Sequence, residues 1–113
     1  MCGVVLANAT AEVSRDVPPA LHGRTVAIGS PGPGVPAFDV DVEAGATAVV
    51  RHLVASGRRR IAVLSGPEWM QCQDGGEHAY ATVLRDAGLP RRLLTGDFTA
   101  SSGRAGAREV LRR

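Results

Sequence analysis

Residues 39–67, DVDVEAGATAVVRHLVASGRRRIAVLSGP, carry the pattern of a helix, a turn and a buried strand in one uninterrupted run. Apolar residues recur at helical spacing and predict one buried stripe, formed by Val42, Ala46, Val49, Val50 and Leu53. Asp41 is expected to cap this helix, and Gly57 is expected to end it in the left-handed conformation. The branched run 61–64 then predicts a strand covered on both faces. Together these elements are half of a parallel α/β repeat.

Similar patterns lie on both sides of this run. Strands are predicted at 3–7, 25–28, 38–41 and 93–95, and helices at 13–21, at 80–87 and from a cap at Ser101 or Ser102 to the end. The run 3–7 is predicted to lie inside a sheet, and Pro18-Pro19 must shorten the helix that follows it. Strands that alternate with helices favour parallel pairing with right-handed crossovers. We therefore expect an α/β fold in three layers, with a short parallel sheet and helices on both faces.

The composition indicates one globular domain. At 113 residues the chain can form one domain with a core, and it is too short for two ordinary ones. Hydrophobic residues make up 44% of it, which argues against disorder. The net charge is +2 and every basic residue is arginine, a balance that does not by itself make a nucleic-acid surface. The run Arg58–Arg60 is typical of a solvated helix end.

The two cysteines, Cys2 and Cys72, form neither a disulfide framework nor a metal-ligand spacing. A reducing, cytoplasmic setting is the simpler interpretation, and neither a metal nor a cofactor is expected. The first residues lack the charged segment and long apolar run of a signal peptide, and no stretch approaches membrane-spanning length. We therefore expect a cytoplasmic protein with no membrane partner.

Ligands of open parallel sheets bind beyond the carboxyl ends of the strands. Four segments follow predicted strands and are expected along one edge, namely Asn8-Ala9-Thr10, Gly29-Ser30-Pro31, 65–74 and 96–99. Trp69 and Phe98, two of only four aromatic residues, lie in the last two segments. An aromatic side chain in a loop indicates contact with a ligand or partner, although core packing is the competing interpretation for Phe98. Asp97 is also typical of a turn residue.

Four segments in this order resemble the effector-binding core of the LacI/GalR family of bacterial repressors. They are VPAFDVDVEAGA at 35–46, RHLVASGRRRIAVLSGP at 51–67, AYATVLRDAGL at 79–89 and GDFTASSG at 96–103. CGVVLA at 2–7 is similar to the family's third strand, and TVAIGSP at 25–31 is similar to the strand before its effector loop. The resemblance therefore extends over nearly the whole chain.

The resemblance implies a two-lobed, periplasmic-binding-protein-like core that closes on a small molecule, and a dimer that carries helix-turn-helix headpieces. It places residues 1–95 in a partial first lobe, and residues 96–113 in the crossover and the start of the second lobe. The DNA-binding headpiece is absent, since no helix-turn-helix pattern with a basic recognition helix occurs. We therefore expect a regulator, not an enzyme. Its expected partners are a sugar or nucleoside-like effector and a second copy of the chain, with DNA reached only through the missing headpiece.

The resemblance also implies roles for single residues. Phe98 occupies the position of an aromatic that stacks on a sugar or base ring. Asn8 and Ser30 follow strand ends where the family has hydrogen-bonding side chains, and the loop from Trp69 to Asp74 is expected to close over the ligand. The predicted ligand-binding set is Asn8, Ser30, Trp69, Asp74, Asp97 and Phe98.

The chain departs from the family in GGEHAY, residues 75–80. The family usually has an arginine three residues before the glycine of a Gly-Tyr or Gly-Phe pair, and this arginine grips the effector. Here Gly76 occupies the arginine's position and Ala79 the glycine's. Without the fixed donor fork of an arginine, an anionic or polyhydroxylated effector needs another anchor.

Two further interpretations stay open. The chain could be a non-functional or dimerising remnant of a repressor, because loss of a preceding strand and helix would expose a sheet edge and an apolar face. It could instead be a small α/β enzyme that uses Cys72 as nucleophile and His78 as base. The spacing of these two residues does not by itself bring them within hydrogen-bond reach.

Overall fold

The computed structural model describes residues 2–9, 11–29, 32, 34–67 and 74–112. These residues form two compact units, Met1–Val40 and Asp41–Arg113. The predicted boundary between residues 95 and 96 is a different division of the chain, and it stays a prediction. Within the described ranges, no helix is both long and apolar enough to cross a membrane.

The first unit contains a parallel sheet of three strands in the order β1-β2-β3. Its elements are β1 Val4–Ala9, α1 Ala11–Arg15, a 3-10 helix Pro19–Arg24, β2 Thr25–Gly29 and β3 Ala37–Phe38. The helix predicted at 13–21 is therefore two short pieces. Proline removes a backbone donor and its ring clashes with the preceding turn, so Pro18 and Pro19 separate α1 from a 3-10 helix that has Pro19 in its first turn.

One face of the three-stranded sheet carries the core of the first unit. Ala9, Ala27 and Val35 are buried, and Leu6 packs against them. Side chains alternate along a strand, so Val5 and Ile28 belong to the other face, where they are 69% and 54% exposed. Within the described residues β1 pairs only with β2 and is an edge strand of this sheet, so the prediction that the run 3–7 lies inside a sheet is wrong for these residues.

The described residues of the second unit form two parallel strands and three helices. Its elements are α2 Val42–Ala55, β4 Val63–Ser65, α3 Asp74–Asp86, β5 Leu93–Thr95 and α4 Ala100–Leu111. Val63 pairs with Leu93, and Ser65 pairs with Thr95. Strands that alternate with helices and pair in parallel confirm the predicted α/β class. Hydrogen bonds group the described strands into one sheet of three strands and one of two.

Both ends of α2 lie where the sequence predicted them, at Asp41 and Gly57. The side chain of Asp41 accepts a hydrogen bond from the Ala44 N–H at 2.9 Å, as a helix cap does. Gly57 has a φ of +81°, and the Arg58 N–H donates to the Leu53 carbonyl at 3.0 Å. This is the left-handed helix end that glycine favours. The predicted caps are therefore confirmed.

The buried stripe of α2 is rotated from the predicted one. Val50 is buried and Val54 packs beside it, whereas Val49 is 61% exposed. The reason is that α3 covers only the Val50 side, since Val83 and Leu84 belong to the same cluster as Val50. Helical spacing alone does not show which flank of an apolar stripe a neighbouring helix will cover.

Tyr80 lies at the centre of the second unit's core. Its ring is buried in a cluster with Val50, Ile61, Val83 and Leu84. Its hydroxyl donates to the Ile61 carbonyl at 2.8 Å and accepts from the Arg92 N–H at 2.7 Å. One phenol group therefore satisfies two backbone groups, one that lies two residues before β4 and one that lies immediately before β5.

The Tyr80 hydroxyl also explains a shifted strand. The strand predicted at 61–64 is observed as Val63–Ser65. The carbonyl of Ile61 is bonded to the Tyr80 hydroxyl, so Ile61 is a core residue outside the strand. The helix predicted at 80–87 is observed as α3, which begins earlier, at Asp74, while 68–73 lie outside the described residues.

The helix α4 is fixed by its contact with β5. The Arg92 guanidinium donates to the Glu109 carbonyl at 2.6 Å and pairs with the Glu109 carboxylate at 3.3 Å. Gly106 allows close approach, because an added Cβ would lie 3.0 Å from Leu64 Cδ1. Leu111 is 84% exposed, because these contacts turn the side of Gly106 and Glu109 inward.

We expect Tyr80→Phe to lower the free energy of unfolding by about 1–3 kcal/mol, because it leaves the Ile61 carbonyl and the Arg92 N–H buried without their partner. Urea denaturation measures this change. Val49→Ala, at an exposed position on α2, is the control and should change stability by less than about 1 kcal/mol. Equal losses in the two variants would contradict the role of the hydroxyl.

Candidate functional site

The turn Gly96–Thr99 joins β5 to α4 and is closed by its own side chains. Asp97 Oδ1 accepts from the Thr99 N–H at 2.9 Å and from the Thr99 hydroxyl at 2.6 Å. The Asp97 N–H donates to Ser102 Oγ at 3.1 Å. Thr99 caps α4 by accepting from the Ser102 N–H at 3.1 Å. The predicted cap at Ser101 or Ser102 is therefore wrong by two or three residues, because Asp97 orients the Thr99 hydroxyl toward the helix.

The carboxylate of Asp97 is held ionised by this turn. The hydroxyl and then the N–H of Thr99, followed by the Ser102 hydroxyl, lower the pKa of Asp97 below its ordinary value of 3.8. Asp97 is exposed, so its negative charge faces solvent. The turn-residue interpretation of Asp97 agrees with these bonds, and its predicted contact with a ligand stays a prediction.

Phe98 projects a ring at the carboxyl ends of β4 and β5. Its side chain is 67% exposed, and its φ of +63° lies in the left-handed region, which costs a non-glycine residue about 1–3 kcal/mol. The ring lies against Gly66, where an added Cβ would be 2.7 Å from Phe98 Cε2. Among the described residues, Phe98 is thus a surface residue whose position requires glycine at 66.

Asn8 has the same unusual backbone conformation in the first unit. Its φ is +54°, and the pairing of β1 with β2 is irregular between Ala7 and Ala9. Of the described residues other than glycine, only Asn8 and Phe98 have a positive φ. Strained backbone is concentrated at functional sites. Both residues belong to the ligand-binding set predicted from the sequence.

The structure describes only part of that predicted set. Asp97 and Phe98 are adjacent in one turn of the second unit, and Asn8 belongs to the first unit. Asp74 is the first residue of α3, and its side chain lies outside the described part. Ser30 and Trp69 also lie outside the described residues. The ligand contacts of all six residues stay predictions.

The sequence did not predict the close approach of α2 and α3. An added Cβ at Gly75 would lie 3.1 Å from Glu43 Cβ, so glycine is needed there for the two helices to begin side by side. At Gly76 an added Cβ would meet Val42 Cγ1 at 3.5 Å, an ordinary contact. The only available signal was the Gly-Gly pair itself. The position where the family has its arginine is therefore not closed by crowding.

Metal binding or nucleophilic catalysis would need suitable side chains close together in the described residues. They contain no group of three or more His, Cys, Asp or Glu side chains that could hold a metal ion. His78 is exposed on α3, and Cys72 lies outside the described part. The proposed pair of Cys72 and His78 is therefore untested.

Two surface cavities lie away from Phe98. One of about 540 Å³ lies between α3 and β5 and is lined by Glu77, His78, Tyr80 and Arg91. The other, of about 560 Å³, lies before the strands and is lined by Arg60, Pro90, Arg91 and Val110. Neither is lined by Asp97 or Phe98, and both of these residues are exposed among the described ones.

The chain is similar to curated transcriptional regulators. It is 35% identical over 100 residues to the HTH-type transcriptional regulator CelR of Thermobifida fusca, a match that covers 86% of this chain and 29% of CelR. It is 28% identical over 107 residues to the HTH-type transcriptional repressor CytR of Escherichia coli K12, covering 92% of this chain and 30% of CytR. The chain thus spans about three tenths of the length of these relatives. No family model matches it.

Solved structures show the same relationship. A LacI family transcriptional regulator from Bifidobacterium animalis subsp. lactis is similar with a TM-score of 0.82 and 23% identity, over 98% of this chain and 42% of that chain. This likeness concerns the fold alone. A complex of the transcriptional regulator CelR with cellobiose is similar with a TM-score of 0.71 and 28% identity, over 99% of this chain and 37% of that chain. The predicted partial, periplasmic-binding-protein-like fold is confirmed.

We expect Gly66→Ala to displace the Phe98 ring, because the new methyl group would occupy the space of the ring. NMR shifts of the Phe98 ring protons measure this displacement. Gly45→Ala is the matched control, because nothing lies within 4 Å of an added Cβ at that position. Unchanged Phe98 resonances in Gly66→Ala would contradict the packing of the ring on Gly66.

We expect Thr99→Val to raise the pKa of Asp97 toward its ordinary value of 3.8, because it removes the hydroxyl that contributes most to the lowering. A lowered pKa stabilises the folded state above the pKa of the unfolded chain, and this stabilisation is lost as pH falls through the folded pKa. The variant should therefore lose less stability in acid. An NMR titration of the Asp97 carboxyl carbon measures the pKa, with Ser56→Ala as control. An unchanged pKa would contradict this cause.

Proposed function

The chain belongs to the LacI family of transcriptional regulators, and on this premise we propose that it supplies part of a ligand-sensing core whose effector is a neutral sugar. The observation that carries the proposal is the exposed ring of Phe98, held in a strained conformation at the carboxyl ends of two parallel strands. Ligands of open parallel sheets bind at this edge. The CelR complex with cellobiose supports the ligand class.

The chemistry of the edge favours a neutral, polyhydroxylated ligand. A flat aromatic face buries the apolar side of a sugar ring without demanding polar partners. The neighbouring carboxylate of Asp97 stays ionised, and its Oδ1 accepts from Thr99, so its other oxygen can accept hydrogen bonds from sugar hydroxyls. The same charge repels a sugar phosphate. A nucleoside-like ligand is the second class, since its base would also stack on Phe98.

The remaining members of the predicted ligand-binding set are Asn8, Ser30, Trp69 and Asp74, and we retain them in the proposal on the family resemblance alone. Gly76 leaves the position of the family's arginine without a guanidinium. Without that guanidinium an anionic ligand lacks its cation, whereas a neutral sugar has the Asp97 carboxylate as another anchor for its hydroxyl groups.

The whole regulator would act by population shift. An effector that binds one arrangement of the two lobes more tightly shifts a homodimer toward that arrangement, by as much as the affinities differ. This chain, with residues 1–95 in the first lobe and 96–113 at the start of the second, performs the recognition step. Operator recognition would belong to a headpiece outside this chain. A bacterial regulator that binds DNA acts in the cytoplasm, so we place the protein there.

A second candidate is a self-associating remnant of such a regulator. Three large apolar side chains, Val5, Ile28 and Phe38, are exposed on one face of the three-stranded sheet. Contiguous exposed apolar surface promotes association. In this case a second copy of the chain, and not a sugar, would cover the face.

A thermal-shift screen separates the candidates. The purified chain is heated with cellobiose, other sugars, sugar phosphates and nucleosides, while light scattering reports its oligomeric state. A ligand at about 100 times its Kd stabilises the native state by about 2.7 kcal/mol. We expect a neutral sugar to raise the Tm, and we expect Phe98→Ala to abolish the shift. Leu111→Ala, which truncates another exposed apolar side chain of the second unit, should retain it.

The opposite results are equally informative. A shift that persists in Phe98→Ala would place the ligand elsewhere and contradict the proposed site. No shift with any compound, together with concentration-dependent association, would favour the remnant. If Gly76→Arg gained affinity for sugar phosphates over neutral sugars, the selectivity argued from the missing arginine would be supported.

A further inference from the structure

The outer edge of β5 has no strand beside it among the described residues. There β5 pairs with β4 only, and the two strands form a two-stranded sheet. Leu93 is 50% exposed, and Thr95 is exposed as well. An exposed strand edge is a template on which a further strand can pair. We therefore asked which strand would match this edge.

The hydrogen bonds to β4 show which backbone groups of β5 face outward. The Arg92 carbonyl accepts a hydrogen bond from β4 at 2.9 Å, and the Gly96 N–H donates one to β4 at 2.8 Å. The carbonyl and the N–H of a trans peptide point in opposite directions, and no described peptide is cis. The Leu93 N–H and the Thr95 carbonyl therefore point away from β4. Successive peptides alternate in direction, so the Leu93 carbonyl and the Thr95 N–H also point outward.

The charges that flank β5 have opposite signs. Arg91 lies two residues before the strand, Asp97 lies two residues after it, and both are exposed. Leu94 is the midpoint between them, and the three residues of the strand carry no charge. Asp97 uses Oδ1 in its bonds to Thr99, so its other oxygen remains for a further partner. The segment 91–97 is therefore complementary in charge to its own reverse.

We propose that β5 pairs antiparallel with β5 of a second copy of this chain, with Leu94 of each copy opposite Leu94 of the other. In this register Leu93 of one copy lies opposite Thr95 of the other. The outward N–H and carbonyl groups of these two residues match as a hydrogen-bonded pair, and twofold symmetry repeats the pair. Arg91 of each copy lies opposite Asp97 of the other, and opposite charges across a strand pair are favourable.

Other arrangements of the same edge lose this match. Parallel pairing in register would place Arg91 beside Arg91 and Asp97 beside Asp97, and like charges directly opposite are destabilising. A shift of one residue would place Leu94, whose backbone groups face β4, opposite outward groups of the second copy. A shift of two residues would separate Arg91 from Asp97. The antiparallel register centred on Leu94 satisfies both the backbone and the charges, and it closes at a dimer because both copies use the same surface.

The cavity between α3 and β5 offers space for side chains of the added strand. It has a volume of about 540 Å³, and Leu93, Ala81 and Tyr80 contribute to its lining. Directly paired residues of an antiparallel sheet have their side chains on the same face. Thr95 of the second copy would therefore lie beside Leu93 at this cavity. The pairing would thus bury apolar surface in addition to forming backbone hydrogen bonds.

This contact is separate from the apolar face of the first unit. It does not use Val5, Ile28 or Phe38, and it does not use the dimer that the family resemblance implies. Asp97 also belongs to the proposed sugar site, so the contact is measured without any effector. Failure of the sugar proposal therefore leaves this inference intact, and the reverse is also true.

Sedimentation equilibrium of the 113-residue chain tests the contact. An edge of this size predicts a weak dimer, so we expect the average mass to rise toward that of a dimer between about 50 µM and 1 mM. Thr95→Pro removes an outward N–H and leaves the bonds to β4, since proline is tolerated on an edge strand. It should weaken the dimer at least about tenfold.

Thr95→Val is the matched control, because it keeps the N–H and suits a strand. It should change the dimer dissociation constant by less than about twofold. A monomer at about 1 mM would overturn the proposal. Equal association in Thr95→Pro and Thr95→Val would also overturn it, because the copies would then meet through another surface, such as the apolar face of the first unit.

Charge reversal tests the register. Arg91→Glu places a carboxylate opposite Asp97 and should weaken the dimer about threefold or more, whereas Arg104→Glu makes the same charge change at an exposed position of α4 and should have less than about a twofold effect. Asp97→Arg alone should also weaken it. An equimolar mixture of Arg91→Glu and Asp97→Arg should associate again, because every flanking charge then meets its opposite.

The alternative results of charge reversal are decisive as well. A mixture that associates no better than its components would overturn the register. Equal weakening by Arg91→Glu and Arg104→Glu would assign the effect to net charge and would also overturn it. Circular dichroism checks that each variant folds, because Asp97→Arg removes the bonds to Thr99. If Asp97→Arg unfolds, the comparison of Arg91→Glu with Arg104→Glu decides.

Amide hydrogen exchange measured by NMR locates the contact residue by residue. The Leu94 N–H faces β4, so we expect it to be protected at every concentration. The N–H groups of Leu93 and Thr95 should exchange rapidly at about 50 µM and become protected at about 1 mM. Protection of both at low concentration would show that another segment of the same chain covers the edge. Rapid exchange of both in the associated state would place the contact elsewhere, and either result overturns the proposal.

Discussion

The hydroxyl of Tyr80 is the contact on which the second unit depends. It lies inside the apolar core, where an unpaired polar group is costly, and it takes its partners from the backbone of Ile61 and Arg92. Ile61 lies two residues before β4 and Arg92 directly precedes β5, so the two hydrogen bonds hold the starts of these strands together. The pairing of Val63 with Leu93 follows, and Arg92 then extends to the last turn of α4. A single buried phenol thus connects one helix, two strands and a second helix.

The pairing of β4 with β5 also determines which residues lie side by side at the carboxyl ends of these strands. Ser65 lies opposite Thr95, so the residues that follow, Gly66 and the turn at Asp97 and Phe98, meet at one level. Glycine at 66 makes room for the ring, and the Asp97 carboxylate ties the turn to the start of α4. An exposed aromatic ring beside an ionised carboxylate is a surface suited to a neutral sugar. The proposed ligand chemistry is therefore a consequence of strand register together with one close glycine contact.

Charge divides the second unit along the strand direction. Carboxylates lie near the edge that carries Phe98, and arginines lie at the edge where the strands begin. The order of the elements produces this division, because α2 and α3 end where the strands begin. The similarity to CelR and CytR covers about three tenths of those proteins.

Sequence by itself determined the features that depend on neighbouring residues along the chain. The α/β alternation, the cap at Asp41, the helix end at Gly57 and the presence of an aromatic after β5 all follow from local spacing and backbone preference. Only the tertiary structure decided that Val49 is exposed, that Phe98 adopts a positive φ and that distant arginines share an edge. These features depend on which helix covers a stripe, on how strands align and on where close contacts fall. Residues far apart in the chain set those properties, so periodicity within one segment cannot encode them.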